Sequence, residues 1–427
     1  MAQQASLLGR ALKISAAVVA AYALLIGALT STPLGKVALY ANKVNTLFWH
    51  DLNYPDQFGF ADGQVTPFNL ETPDGQTLYA WHVLPLDVYA RHEQSLRTGE
   101  RHKHPVKDFT KTLPYRLITE YNDPPPRVII SFHGNAGHIA QGLRTDTYRM
   151  LAIHPNTHVF TIDYRGFGHS TGDPSEAGLI VDGTALVDYV MKVVGVPAER
   201  IVILGQSLGT AVSAGVALNF ADPESALTPR LNSTEQTISP GALARQVDVP
   251  SSFAGVVLVA PFHSLPALLL TYRMGGWLPL FRPLQLLSKR VAQEVAAYGS
   301  PDDWPTARRL KAYRDALKKN PALLKSQSDD SSLKQKSLLR EMGAVQILHG
   351  LNDMDIPYHQ TELICEEVLG NKDGISGSKG PALFELKESG EARFRFELYP
   401  FGGHNTIVTY SPTSLAIVRA FEGFQAR

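Results

Sequence analysis

The chain has 427 residues, 44% hydrophobic and 19% charged, which is enough apolar material for a sizeable core and excludes wholesale disorder. Forty basic side chains balance forty acidic ones, so no overall field of the kind that gathers nucleic acid exists, and a nucleic-acid partner is not expected. Cys365 is the only cysteine, so no disulfide within the chain can brace the fold.

Residues 1–35 read as a tail and a transmembrane anchor. From Ile14 to Thr30 run 17 residues without a charge, near the lower limit for crossing a ~30 Å hydrocarbon core. Arg10 and Lys13 precede this stretch and Lys36 and Lys43 follow it, so the charge bias that sets orientation is weak. A cleaved signal peptide is the alternative. Asn232-Ser233-Thr234 matches the glycosylation acceptor pattern and is usable only if the domain faces a lumen.

The segment Thr66 to Leu84 alternates apolar and polar residues around Pro73-Asp74-Gly75, as a β-hairpin requires. Residues 91–116 carry seven Arg or Lys against three acids without apolar periodicity and read as a solvated surface insertion. From Arg127 the grammar changes to short apolar runs alternating with helical stretches, the pattern of a mostly parallel sheet with crossover helices, hence an α/β fold. The runs are RVIISF, HVFTIDY, RIVILG, GVVLVA, VQILHG and FRFELYP. A Pro-, Ser- and Thr-rich loop over 221–250 and a cap or lid over 263–344 interrupt them. The α/β domain is therefore expected in two parts, 36–262 and 345–427.

The chemistry is expected at the carboxyl ends of these runs. Gly205-Gln206-Ser207-Leu208-Gly209 follows RIVILG and opens a run rich in small residues, the strand, tight turn, helix context of a nucleophile elbow. A serine on so sharp a turn tolerates only small residues two positions to either side. Its hydroxyl is a poor nucleophile until an imidazole takes its proton, and that imidazole needs a carboxylate to hold its tautomer. After VQIL come Asp353 and Asp355; Asp353, at the strand-end turn, is the predicted acid and Asp355 the alternative. After FRFELYP comes His404, preceded by Gly402-Gly403, as the predicted general base. An oxyanion needs backbone donors, predicted as the N–H groups of Leu208 and of Asn135 in His133-Gly134-Asn135-Ala136-Gly137. His133 and His349, each before a glycine at a strand end, are expected to orient loops rather than to act as bases. The sequence shows no metal-ligand cluster or dinucleotide fingerprint, and a Ser-His-Asp mechanism needs no cofactor.

With these residues assembled, the chain resembles the α/β-hydrolase superfamily over roughly residues 66 to 427, in the order Ser207, Asp353, His404. HGNAG, DYRGFGHS from Asp163 to Ser170, GQSLG, Ala260-Pro261-Phe262, HGLNDMDIP and FGGH are most similar to the monoacylglycerol lipase and lysophosphatidylserine lipase group, the abhydrolase-domain-twelve type. That resemblance implies a membrane-anchored serine hydrolase of single-chain acyl lipids, with its domain in the lumen of the endoplasmic reticulum. Gln206 departs from the histidine common at that place in the group, and the 91–116 and 221–250 segments are additional. Two other functions stay open: an acyl-protein thioesterase removing palmitate, which needs a cytoplasmic domain, and a non-catalytic binding module on the same fold.

Overall fold

The computed structural model describes residues 2–29, 37, 39–98, 104–120, 123–229, 250–273, 282–286, 302–324, 342–370, 383–386 and 394–422. Asn232 lies outside them, as does most of the 221–250 loop. Nine strands form one sheet in the order β1-β2-β4-β3-β5-β6-β7-β9-β8. The hairpin is β1 (Val65–Glu71) and β2 (Thr77–Val83), antiparallel, with β2 antiparallel to β4 (Thr157–Ile162). Strands β4, β3 (Arg127–Phe132), β5 (Ile201–Gln206), β6 (Gly255–Val259), β7 (Val345–Gly350) and β9 (Phe394–Tyr399) run parallel. Each corresponds to one of the six apolar runs. β8 (Leu383–Leu386) adds an antiparallel edge that the sequence reading does not contain.

The parallel strands are mostly apolar and buried because both faces of the sheet are covered. Alternate residues point to opposite faces, and the core divides accordingly. Val128, Ile130, Ile201 and Ile203 pack on one side with the helices Glu176–Lys192 and Leu208–Ala221. Ile129, Val202, Leu204, Val257 and Leu348 pack on the other with Arg144–Leu151 and Ser411–Glu422. The helix Leu208–Ala221 is buried almost all round, and Gly215 lets it approach its neighbour, since a Cβ there would stand 2.6 Å from Ile180 Cδ1.

Two expectations change. The 91–116 segment is not merely a solvated insertion. Its first part continues a helix, Leu86–Arg97, and Val106 and Phe109 are buried, with Val106 bridged to Phe68 and Phe109 stacked on it at 4.9 Å. Isolated apolar anchors among charges leave no period to read. Within 263–344, the helix Thr306–Lys319 buries Ala307, Leu310, Tyr313 and Leu317 in a core shared with Leu208–Ala221 and His359–Leu369. That stretch belongs to the helical layer of the domain rather than to a cap.

The N-terminal helix Ala2–Leu29 contains one stretch, Gly9–Ala28, long and apolar enough to cross a membrane. Near its end Ile26 is buried and Tyr22 packs with Leu269, Leu270 and Leu284.

Candidate active site

Ser207 stands between β5 and the helix Leu208–Ala221 with φ 53° and ψ −120°, a conformation an L-residue adopts only under constraint. The constraint is close packing. A Cβ at Gly205 would fall 2.3 Å from the Gly209 carbonyl oxygen, and one at Gly209 would fall 2.1 Å from the Phe132 oxygen. Ser207 N–H donates to the Val259 oxygen at 3.0 Å, tying the turn to β6.

His404 follows β9 and reaches Ser207, with Nε2 3.0 Å from Oγ. Its Nδ1 lies 2.8 Å from Asp353 Oδ2, in the turn after β7. Asp353 Oδ1 accepts the N–H groups of Asp355 and Ile356 at 2.9 and 2.8 Å. Burial works to raise the Asp353 pKa, but hydrogen bonds from His349 and His404 outweigh it and hold the carboxyl well below the usual range. For His404 burial works to lower the pKa, and the hydrogen bond and charge of Asp353 reverse that and raise it. Asp355 serves the turn through its backbone, and the carboxylate bonded to His404 is that of Asp353. Asp353, Asp355 and His404 place possible metal-ligand atoms within 4.8 Å of one another. Both Asp353 oxygens and both His404 nitrogens already have hydrogen-bond partners, so the grouping reads as an acid–base pair.

Two tethers that the sequence does not disclose hold the imidazole loop. Gln206 Nε2 donates to the His404 carbonyl oxygen at 3.2 Å, and Gly403 N–H donates to Asn352 Oδ1 at 2.8 Å. His349 is buried, accepts from Thr361 Oγ1 at 2.7 Å and donates through Nε2 to the Ile356 oxygen at 2.9 Å, with Asp353 Oδ2 3.3 Å away. It props the acid turn, in line with the loop-orienting role expected of it.

Leu208 is the first residue of its helix, so its N–H has no intrahelical partner. Gly134 lies against Ser207: a Cβ there would stand 3.3 Å from Ser207 Cβ. The loop that follows is organised by Arg144, whose buried guanidinium donates to the carbonyl oxygens of Gly134, Asn135, Ala136 and His138. With four of its carbonyls gathered on one cation, the loop is held in a fixed conformation. Asn135 N–H has no hydrogen-bond partner among the described residues. His133 donates through Nδ1 to Gly134 O at 2.7 Å, and burial, reinforced by Arg144, holds its pKa well below the usual imidazole value. Arg144 has no sequence signature; it is one more arginine until the fold brings the loop around it.

A mostly parallel sheet with a strained serine elbow at the end of β5, a carboxylate after β7 and an imidazole after β9 defines an α/β-hydrolase fold. The profile described as the alpha/beta hydrolase family matches residues 128–412, about two thirds of the chain, and the chain belongs to that family. Protein bem46 of Schizosaccharomyces pombe is 38% identical over 117 residues, 27% of this chain and 38% of that protein. Lysophosphatidylserine lipase ABHD12 of Danio rerio is 28% identical over 184 residues, 43% of this chain and 42% of that protein, in keeping with the group resemblance of the motifs. The matched stretches thus span about two fifths of these relatives. A solved α/β hydrolase from Vibrio vulnificus aligns over 91% of this chain and 94% of that one at 13% identity and a TM-score of 0.49.

Proposed function

We propose that this chain is a membrane-anchored serine hydrolase that cleaves carboxylic esters of single-chain acyl lipids, monoacylglycerol or lysophospholipid, through an acyl-enzyme on Ser207. The observation that carries the reading is the unbroken hydrogen-bond relay from Ser207 Oγ through His404 to Asp353. Ser207 Oγ attacks the acyl carbonyl carbon as its proton passes to His404 Nε2, and Asp353 stabilises the imidazolium. The oxyanion is held by the N–H groups of Leu208 and Asn135. The C–O bond to the headgroup breaks, its oxygen takes the proton from Nε2, and water, activated by the same nitrogen, hydrolyses the acyl-enzyme.

The lipid substrate is supported by relatives named lysophosphatidylserine lipase and by the apolar N-terminal helix, which would keep the site beside acyl chains in a bilayer. Phe48 and Trp49, exposed and packed edge to face at 4.7 Å shortly after that helix, suit a membrane interface. A lumenal domain in the endoplasmic reticulum completes the reading.

A fluorophosphonate probe is expected to label the wild type and not Ser207→Ala, with monoacylglycerol and lysophosphatidylserine competing. Turnover of short soluble esters with none of either lipid would sink the lipid assignment; hydrolysis of palmitoyl thioesters instead would favour the thioesterase. No labelling of the folded wild type would move the non-catalytic module to the front.

A further inference from the structure

The stretch that joins the apolar helix to the domain is built into the oxyanion loop. Asn135 Nδ2 donates to the Leu39 carbonyl oxygen. The next two N–H groups, of Ala136 and Gly137, donate to the oxygens of Tyr40 and Ala41 at 3.1 and 3.3 Å. Three successive loop residues are thereby gripped by three successive residues of the strap. The strap is itself fixed. Tyr40 is fully buried, its ring edge-on to Phe167 at 6.3 Å and its hydroxyl donating to Asp302 Oδ2 at 2.7 Å. The other oxygen of Asp302 accepts the Glu176 N–H at 3.0 Å, which ties the strap to the start of the Glu176–Lys192 helix. Asn42 Nδ2 and Lys43 Nζ both donate to the Gly166 oxygen, at 2.6 and 3.1 Å.

The pattern is selective. Arg144 takes the loop's carbonyls from one side, and the strap takes the N–H groups of Ala136 and Gly137 from another, leaving that of Asn135 for a ligand. We propose that residues 39–43 are a positioning strap for the oxyanion donor Asn135, so that the rate of acyl transfer depends on the hold of these residues on the loop. The proposal rests on the serine hydrolase reading and on Asn135 as donor. The strap touches no reacting atom; it acts through the loop, and a donor displaced by about 1 Å is enough to cost on the order of 100-fold in rate.

Asn135→Ala in the full-length chain keeps the backbone N–H and removes only the side-chain grip on Leu39. With p-nitrophenyl butyrate in detergent micelles, its kcat is expected to fall about 10- to 100-fold. KM should stay within about twofold, since the donor acts chiefly in the transition state. The pH midpoint of kcat/KM, set by His404, should not move. Tyr40→Phe keeps the ring and loses only the bond to Asp302, and is expected to lower kcat severalfold with the same unchanged KM and midpoint. Because both act on one loop, the double variant should lose less than the product of the two. Folded single variants with kcat within twofold of wild type would overturn the proposal, as would a loss that appears in KM alone. A wild type that turns over without modification of Ser207 would instead overturn the serine hydrolase reading, and the strap with it.

Discussion

Asp353 Oδ2 lies 2.8 Å from His404 Nδ1, and in the proposed mechanism this contact sets the pH at which the site works. The base must be neutral to accept the Ser207 proton, so activity appears only as pH rises through the His404 pKa. Asp353 favours the imidazolium and raises that pKa above the usual value of about 6.5. The acid limb of kcat/KM is therefore expected above the ordinary histidine position. Asp353→Asn removes the charge that raises it, so the limb should move to lower pH while kcat falls by roughly 10⁴-fold through loss of the correct tautomer. A limb that stays in place in Asp353→Asn would mean that another group titrates.

Gln206 occupies the elbow position where the resembled group commonly has histidine, and here its amide holds the backbone carbonyl of His404. A single hydrogen bond of this kind contributes about 1 kcal/mol. Gln206→Ala should therefore lower kcat about fivefold, with little change in melting temperature or in the pH midpoint. Stopped-flow acylation rates would read this directly; an unchanged acylation rate would reduce Gln206 to a spectator.

Gly209 is required by the sheet rather than by the reaction. Its missing Cβ would stand 2.1 Å from the Phe132 oxygen and 2.9 Å from the His133 oxygen, both backbone atoms with no flexible end to swing aside. Gly209→Ala must push the elbow helix off β3, at a cost of about 3 kcal/mol. The expected result is a lower urea midpoint together with loss of activity. Full activity at unchanged stability would show that the elbow relaxes more easily than this packing allows.

The parallel strands and the residues at their ends were legible because both leave local marks. A fully buried strand is a short apolar run, and a serine elbow demands glycine at fixed offsets; Ser207, Asp353 and His404 fall at one relay for that reason. Contacts made across the fold leave no such mark. Arg144 serves loop residues up to ten positions before it, and Gln206 meets a carbonyl 198 residues away. Tyr40 meets Asp302 at a separation of 262. β8 is not legible in the sequence because a four-residue edge strand, Leu383–Leu386, has too short an alternation to stand out among the surrounding charged and glycine-rich residues.

Trp49 offers a test of how the domain meets a membrane. It is 63% exposed and its neighbour Phe48 76%, whereas Trp81 and Trp304 are fully buried. If the proposed anchor spans a bilayer, two large aromatic side chains left in water some twenty residues after it would settle among lipid headgroups. Reconstituted into vesicles of phosphatidylcholine brominated on the acyl chains, the wild type should lose a component of tryptophan fluorescence that Trp49→Phe lacks. In the same vesicles, Phe48→Ala with Trp49→Ala should raise KM for a bilayer-borne monoacylglycerol and leave kcat for a soluble ester unchanged, since neither ring touches the relay. Equal quenching of wild type and Trp49→Phe would place the pair in water or against another protein, and the substrate would then have to reach Ser207 by leaving the bilayer first.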